Sequence, residues 1–249
     1  MSEKREADLI NLRIIKKTEK IFPDEIIVLR ATTNFMRRLT KISSMAIATF
    51  DKQQNLRAIM ELFCRNRELT HFSIVCMVNG GYSETKVLSR VATENFLLMR
   101  LFAIQPDIAN VWFSNPEQFR KKWTPNVIRK TVFSDIPERA KSYETFYWLL
   151  CDYTHPSFKG WYEIFKEKNG GVFIGACPEF NPNYASECIG LICFVSLQTI
   201  RAYAEVFEEW LDNNLLIETN KLMPKLYEIM TRHFEVRTYD KKKLLVKKS

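Results

Sequence analysis

Apolar residues recur at steps of three and four along most of this chain. Val28, Ala31, Phe35, Leu39, Ile42 and Ala46 form one stripe behind Pro23-Asp24-Glu25. Proline and acids suit the start of a helix, so the pattern predicts a long helix over 24–50. A second helix, 53–78, carries Leu56, Ile59, Phe63, Ile74 and Met77 and stops at Asn79-Gly80-Gly81, a C-terminal cap and turn. A third, with Ser83 as its N-cap, runs to Ile104 with Val87, Val91, Leu98, Met99 and Phe102 on its core face.

Pro106, Pro116, Pro125 and Pro137 then cut the chain into pieces too short for more than one or two helical turns. Ile136-Pro137 opens a fourth substantial helix with Ala140, Tyr143, Tyr147 and Leu150, ending near His155 because Pro156 disfavours α geometry before it. Residues 156–182 are irregular, with Gly160, Gly170, Gly171, Gly175 and the short β-like run Val172-Phe173-Ile174. Helix returns over 184–211 and again over 220–233, where Pro224 falls in the expected first turn. The fold class is all-α: a bundle of about five long helices, short proline-punctuated helices and one irregular insertion with a small β element. The expected organisation is one domain over 1–235, carrying the 156–182 insertion, and a basic C-terminal tail over 236–249.

Composition sharpens this. Only 7 of 249 residues are glycine, where ordinary usage of roughly 7% would give about 17. Phosphate-cradling loops, dinucleotide-binding turns and βα barrels need more, so those architectures are largely excluded. The net charge is +8, and Arg232, Arg237, Lys241, Lys242, Lys243, Lys247 and Lys248 against Glu235 and Asp240 put +5 of it in the tail, either a solvated segment or a nucleic-acid arm. Gln118–Ser134 holds Arg120, Lys121, Lys122, Arg129 and Lys130 with Trp123 and no acid. Basic residues around an aromatic suit phosphates and a stacked base; an exposed connection with an inward tryptophan is the structural alternative.

The six cysteines show no C-x-x-C pair and lie in or beside apolar stretches, as reduced, buried thiols would. The charged start Met-Ser-Glu-Lys-Arg-Glu predicts no secretory leader, and the longest strongly apolar run, 189–197, is shorter than the ~20 residues of a bilayer span. A cytoplasmic protein without membrane association is expected.

Three groups could carry chemistry. His155 stands at a helix C-terminus, where the dipole favours imidazolium, with Asp152 three residues before it. Arg90 and Glu94 are four apart on a stripe continued by Leu97 and Leu101; they read either as an internal ion pair or, with His155, as a polar centre. Only three histidines occur and no His/Asp/Glu spacing repeats, so no metal and no cofactor is expected.

Leu88-Ser89-Arg90-Val91-Ala92-Thr93-Glu94, Pro106-Asp107-Ile108-Ala109, and Tyr147 with Leu150 through Thr154-His155-Pro156 resemble an uncharacterised family of bacterial helical proteins loosely related to the HEPN superfamily. The resemblance covers about residues 83–160. It implies a helical bundle, a prokaryotic stress or phage-defence setting such as toxin–antitoxin systems, and a metal-independent ribonuclease or RNA-binding activity; a homodimer is implied by resemblance alone. The catalytic mark of that superfamily is an Arg, often followed by a polar residue, with a His five to seven positions on. No arginine stands so before His155, Arg139 being 16 positions upstream, but Arg65-Asn66-Arg67-Glu68-Leu69-Thr70-His71 fits. An arginine and a histidine on adjacent turns could stabilise a pentacovalent phosphate and move a 2′-hydroxyl proton; a polar helix face is the alternative.

Two readings of function result. One is an RNA- or nucleotide-directed protein whose centre is Arg90, Glu94, Asp152 and His155, or Arg65, Asn66 and His71, with phosphates on the 120–130 stretch. The other is a non-catalytic protein–protein interaction module that docks through the 156–182 loop, its Arg/Glu/His cluster being structural.

Overall fold

The computed structural model describes residues 3–47, 53–154, 165–168, 171–174 and 179–246, with side chains over 11–41, 53–148, 150–153 and 179–233. The helices are α1 Glu3–Ile21, α2 Pro23–Ile47, α3 Gln54–Val78, α4 Tyr82–Ile104, α5 Asp107–Ser114, α6 Pro116–Lys122, α7 Pro125–Val132, α8 Pro137–Thr154, α9 Pro182–Phe207 and α10 Asn213–Val246. Strands β1 Phe165–Lys168 and β2 Gly171–Ile174 pair antiparallel, with Phe165 opposite Ile174 and Lys168 opposite Gly171. The fold is all-α, as the helical periodicity predicts.

Proline sets many helix starts. It is the first residue of α2, α6, α7, α8 and α9, where its missing N–H would have had no partner. Asn115 and Thr124 cap α6 and α7 by accepting from the Gln118 and Val127 amides at 3.0 and 3.4 Å. These caps hold in place helices too short to persist alone.

The α3–α4 pair is the centre of the bundle, and α9 packs on both helices with α10 on its outer side. The α3–α4 turn is a Schellman closure: the Gly80 amide donates to the Met77 carbonyl at 3.0 Å and the Gly81 amide to the Cys76 carbonyl at 2.8 Å. Gly80 has φ 84°, the left-handed region where a side chain is strained. A Cβ on Gly81 would lie 3.2 Å from the Cys76 carbonyl oxygen. Phe35, Phe63, Phe96, Phe102, Tyr203 and Phe207 fill the core, with the Phe63 and Tyr203 rings 4.3 Å apart.

Two local readings of the sequence are corrected, and one helix is added. The final helix begins at Asn213, not 220, because Asp212 caps it by accepting from the Leu215 amide at 2.8 Å, so Pro224 lies inside the helix rather than in its first turn. Glu3–Ile21, where the charged sequence shows no clear stripe, is helical and buries Ile14 and Thr18. Val87, expected on the core face, is exposed; the inward face of that half of α4 is Thr85, Lys86, Ser89, Ala92 and Thr93. Ser89 and Thr93 donate to the Thr85 and Ser89 carbonyls at 2.8 Å each, which satisfies their hydroxyls and keeps the surface facing the neighbouring helices small.

By length and composition α9 with the following turn, Pro182–Trp210, could cross a membrane, though 67% of its apolar window is buried inside the bundle. Cys64, Cys76, Cys151, Cys188 and Cys193 are thiols. Burial pushes the Cys64 and Cys76 thiols above their usual pKa, and Cys193 further. Cys177 lies outside the described residues.

Candidate functional site

Lys86, Arg90 and Glu94 are spaced four residues apart on α4, so one face of that helix presents a line of charges toward α8. The line meets Tyr147. Arg90 Nε donates to Glu94 Oε1 at 3.2 Å and its Nη2 to Tyr147 Oη at 3.2 Å, while Tyr147 Oη donates to the same Glu94 oxygen at 2.9 Å. The guanidinium also lies 5.4 Å from the centroid of the Tyr147 ring.

Burial pushes the Tyr147 phenol up to about 12, with the bond from Arg90 pulling it down and Glu94 adding to the rise; at neutral pH it is a proton donor. Burial disfavours the charge on Arg90, but the bond to Tyr147 and the acidic neighbours Tyr147, Cys151 and Glu94 outweigh it and raise its pKa. The Cys151 thiol, one turn along α8 from Tyr147, is raised by burial, against the pull of Arg90 and Tyr147. Asp152 is half-buried beside it. His155 lies outside the described residues, as does most of the 156–182 loop.

Glu94 also belongs to a cavity of about 300 Å³ enclosed by α4, α5, α6 and α7. Trp112 of α5, Phe119 and Arg120 of α6, and Trp123 between α6 and α7 share its wall. Trp112 packs at a tilt against Phe102 and Phe113 at centroid distances of 5.5 and 4.9 Å. Glu94 and Arg120 are the charged lining residues. A larger cavity, about 510 Å³, lies around Arg139, Tyr143 and Arg201 between α8, α9 and α10, with no carboxylate among its described lining.

The basic stretch divides. Arg120, Lys121 and Lys122 are exposed, Lys121 pairing with Glu117 at 2.7 Å and Lys122 lying 5.7 Å from the Trp123 ring centroid. Lys130 is exposed. Arg129 corrects the expectation of a surface phosphate contact: it is buried, bonded to Asn126 Oδ1 at 2.9 Å and paired with Glu144 at 3.1 Å.

The Arg65, Asn66 and His71 group is not gathered at one place. Asn66 is fully buried and donates to the Ala92 carbonyl at 3.0 Å and Thr199 Oγ1 at 2.9 Å, accepting from Asn95 Nδ2 at 2.8 Å. Arg65 and His71 are exposed, and six positions on a helix separate them by about 120° around its axis.

Sequence reasoning missed Lys86. Its side chain is wholly buried, 3.1 Å from Glu187, and its Nζ lies 3.7 Å from the Tyr153 ring centroid and 5.1 Å from that of Tyr184. A signal existed: Lys86 is one turn before Arg90, and Glu187 is the sole acid between Pro182 and Ala204. Among the described residues no three His, Cys, Asp or Glu side chains gather as a metal site requires. No known family model, curated protein or solved structure matches the chain.

Proposed function

We propose that this protein binds a ribonucleotide unit, free or within single-stranded RNA, in the α4–α7 cavity. The observation that carries the reading is the shared wall itself: Trp112, Phe119 and Trp123 offer π-faces, Arg120 a cation and Glu94 an acceptor. Stacking a base on aromatic side chains with a guanidinium for its phosphate is how single strands are held without a regular groove. The cavity volume lies at the lower end of small-ligand sites, which suits one base rather than a folded RNA. Exposed Lys121, Lys122 and Lys130 extend the basic surface for neighbouring phosphates. The resemblance to HEPN-related proteins points the same way and adds RNA cleavage in prokaryotic stress or defence.

Titrating mononucleotides and a mixed-sequence single-stranded octaribonucleotide against tryptophan fluorescence tests this. Stacking is worth about 1–3 kcal/mol per base, so Trp123→Ala weakens binding by roughly five- to 150-fold. Arg120→Ala reduces the salt slope of oligonucleotide binding by about 0.7. Failure of every nucleotide and of the octamer to bind, or unchanged affinity in Trp123→Ala, overturns the reading. Gel analysis of the incubated octamer, beside His155→Ala and His71→Ala, tests cleavage. The rival reading of a non-catalytic interaction module rests on the closed circuit Arg90–Glu94–Tyr147, which would then only fasten α4 to α8; it predicts no RNA binding at all.

A further inference from the structure

We infer that the cavity selects bases presenting a single amino donor, adenine first and cytosine second, and discriminates against uracil, with Glu94 as the specificity-determining residue. The inference rests on the nucleotide reading above. It begins from how the Glu94 carboxylate is held. Both of its hydrogen bonds with described residues, from Arg90 Nε at 3.2 Å and Tyr147 Oη at 2.9 Å, end on Oε1. A carboxylate oxygen has two good acceptor directions, so Oε1 is filled. Oε2 accepts from no described residue, and the side chain is 35% exposed on the cavity wall. The cavity therefore offers a ligand one strong acceptor rather than a bidentate fork.

That number decides among the bases. Adenine carries N6–H₂ and cytosine N4–H₂, each an amino donor that one oxygen can take. Guanine can give N2–H₂ to one oxygen as well, but its adjacent N1–H is then left without an acceptor, because the second oxygen is occupied. Uracil places its one N–H between two carbonyls, whose oxygens repel a carboxylate. Between the two favoured bases, the larger face of a purine gains more from Trp112, Phe119 and Trp123. A cationic ligand, the other guest of an aromatic site with a carboxylate, is disfavoured because Arg90 already pairs with Glu94 and Arg120 shares the wall.

The test compares AMP, CMP, GMP and UMP, each titrated against the intact chain and against Glu94→Gln and Tyr147→Phe. In the wild type AMP binds tightest and UMP weaker by about ten- to a hundredfold, the range for a hydrogen bond to a charged group. Glu94→Gln brings a donor as well as an acceptor, so the AMP to UMP ratio falls toward one. Tyr147→Phe frees part of Oε1, and GMP gains relative to AMP. A merely structural role for either residue would weaken all four nucleotides alike. Equal wild-type affinities, or a preference for GMP or UMP, overturn the inference while leaving the nucleotide site standing. Binding of none overturns both. The wild-type ranking needs no variant, so it decides the matter even if a substituted chain fails to fold.

Discussion

Removing the ammonium of Lys86 while keeping its stem isolates the most deeply buried ion pair among the described residues. Lys86→Met leaves Glu187, 3% exposed, without the cation 3.1 Å away. Stranding one member of a buried pair costs about 3–5 kcal/mol, and the lost contact with the Tyr153 ring at 3.7 Å adds roughly 1–2 kcal/mol. For a chain near 250 residues each kcal/mol shifts Tm by about 2–4 °C, so the expected drop is on the order of 10–25 °C. That is a large share of the roughly 5–15 kcal/mol by which domains are stable. Glu187→Leu alone takes the carboxylate from Lys86 at a similar cost. The double variant buries neither charge, and well-packed apolar replacements of an ion pair are often neutral or better. Urea denaturation of the four proteins by far-ultraviolet circular dichroism gives the coupling, expected at about 3 kcal/mol or more. A single-variant loss below about 1 kcal/mol, or a double variant equal to the sum of the singles, refutes the reasoning.

Asn66→Ala withdraws a partner from the Ala92 carbonyl, which keeps its helical bond, and leaves Thr199 Oγ1 and Asn95 Nδ2 without Asn66, so at about 1–3 kcal/mol for each of those two groups it destabilises by about 2 kcal/mol or more; a urea midpoint close to wild type contradicts this. His233 gives a pH signature. Burial lowers its pKa, with Glu25 pulling it up and Arg232 down, while Nδ1 sits 2.6 Å from Ser186 Oγ, Nε2 3.4 Å from Glu25 and the ring against Phe22. The unfolded chain takes the proton first, so stability that is intact above the ordinary histidine value of about 6.5 falls as the pH drops below it. His233→Gln flattens that fall between pH 7.5 and 5.5, and an identical pH dependence in both proteins would count against it.

Long helices were legible wherever proline, an acid or glycine marked their ends and an apolar stripe ran between: α2, α3, α4 and α8 lie within a few residues of expectation. The start of α10 was not, because Asp212 is an ordinary acid until its Oδ1 is seen accepting from Leu215, whereas Pro224 looked like a helix opener. The pairing of Arg90 with Glu94 follows from spacing alone. Tyr147 lies 53 residues from Glu94, and only the packing of α8 on α4 brings its hydroxyl there. Lys86 was hidden for the opposite reason: lysine is almost never fully buried, so its place one turn before Arg90 is a weak mark of an interior position, and its partner is on α9. The cavity gathers residues from α4, α5, α6 and the α6–α7 junction, each with an unremarkable local pattern. Arg129 was misplaced because a charged residue between Ile128 and Lys130 gives no sign that Glu144 will meet it.

The Schellman-closed α3–α4 hairpin has a consequence for the order in which the molecule assembles. Its helices are joined by three residues and contact each other most extensively, so their closure is local and fast, the kind of event that nucleates helical folding. Helices α5, α6 and α7, of 8, 7 and 8 residues, are below the length that is stable in isolation, and they form only by condensing onto α3 and α4. One wall of the cavity is thus built early and the other late, and local opening of the native state runs in reverse. A ligand bridging Glu94 to Trp123 would join the early wall to the late one. Occupancy and the closure of that end of the bundle would then be a single linked equilibrium, with the gain in protection, RT ln(1 + [L]/Kd), concentrated in three short helices.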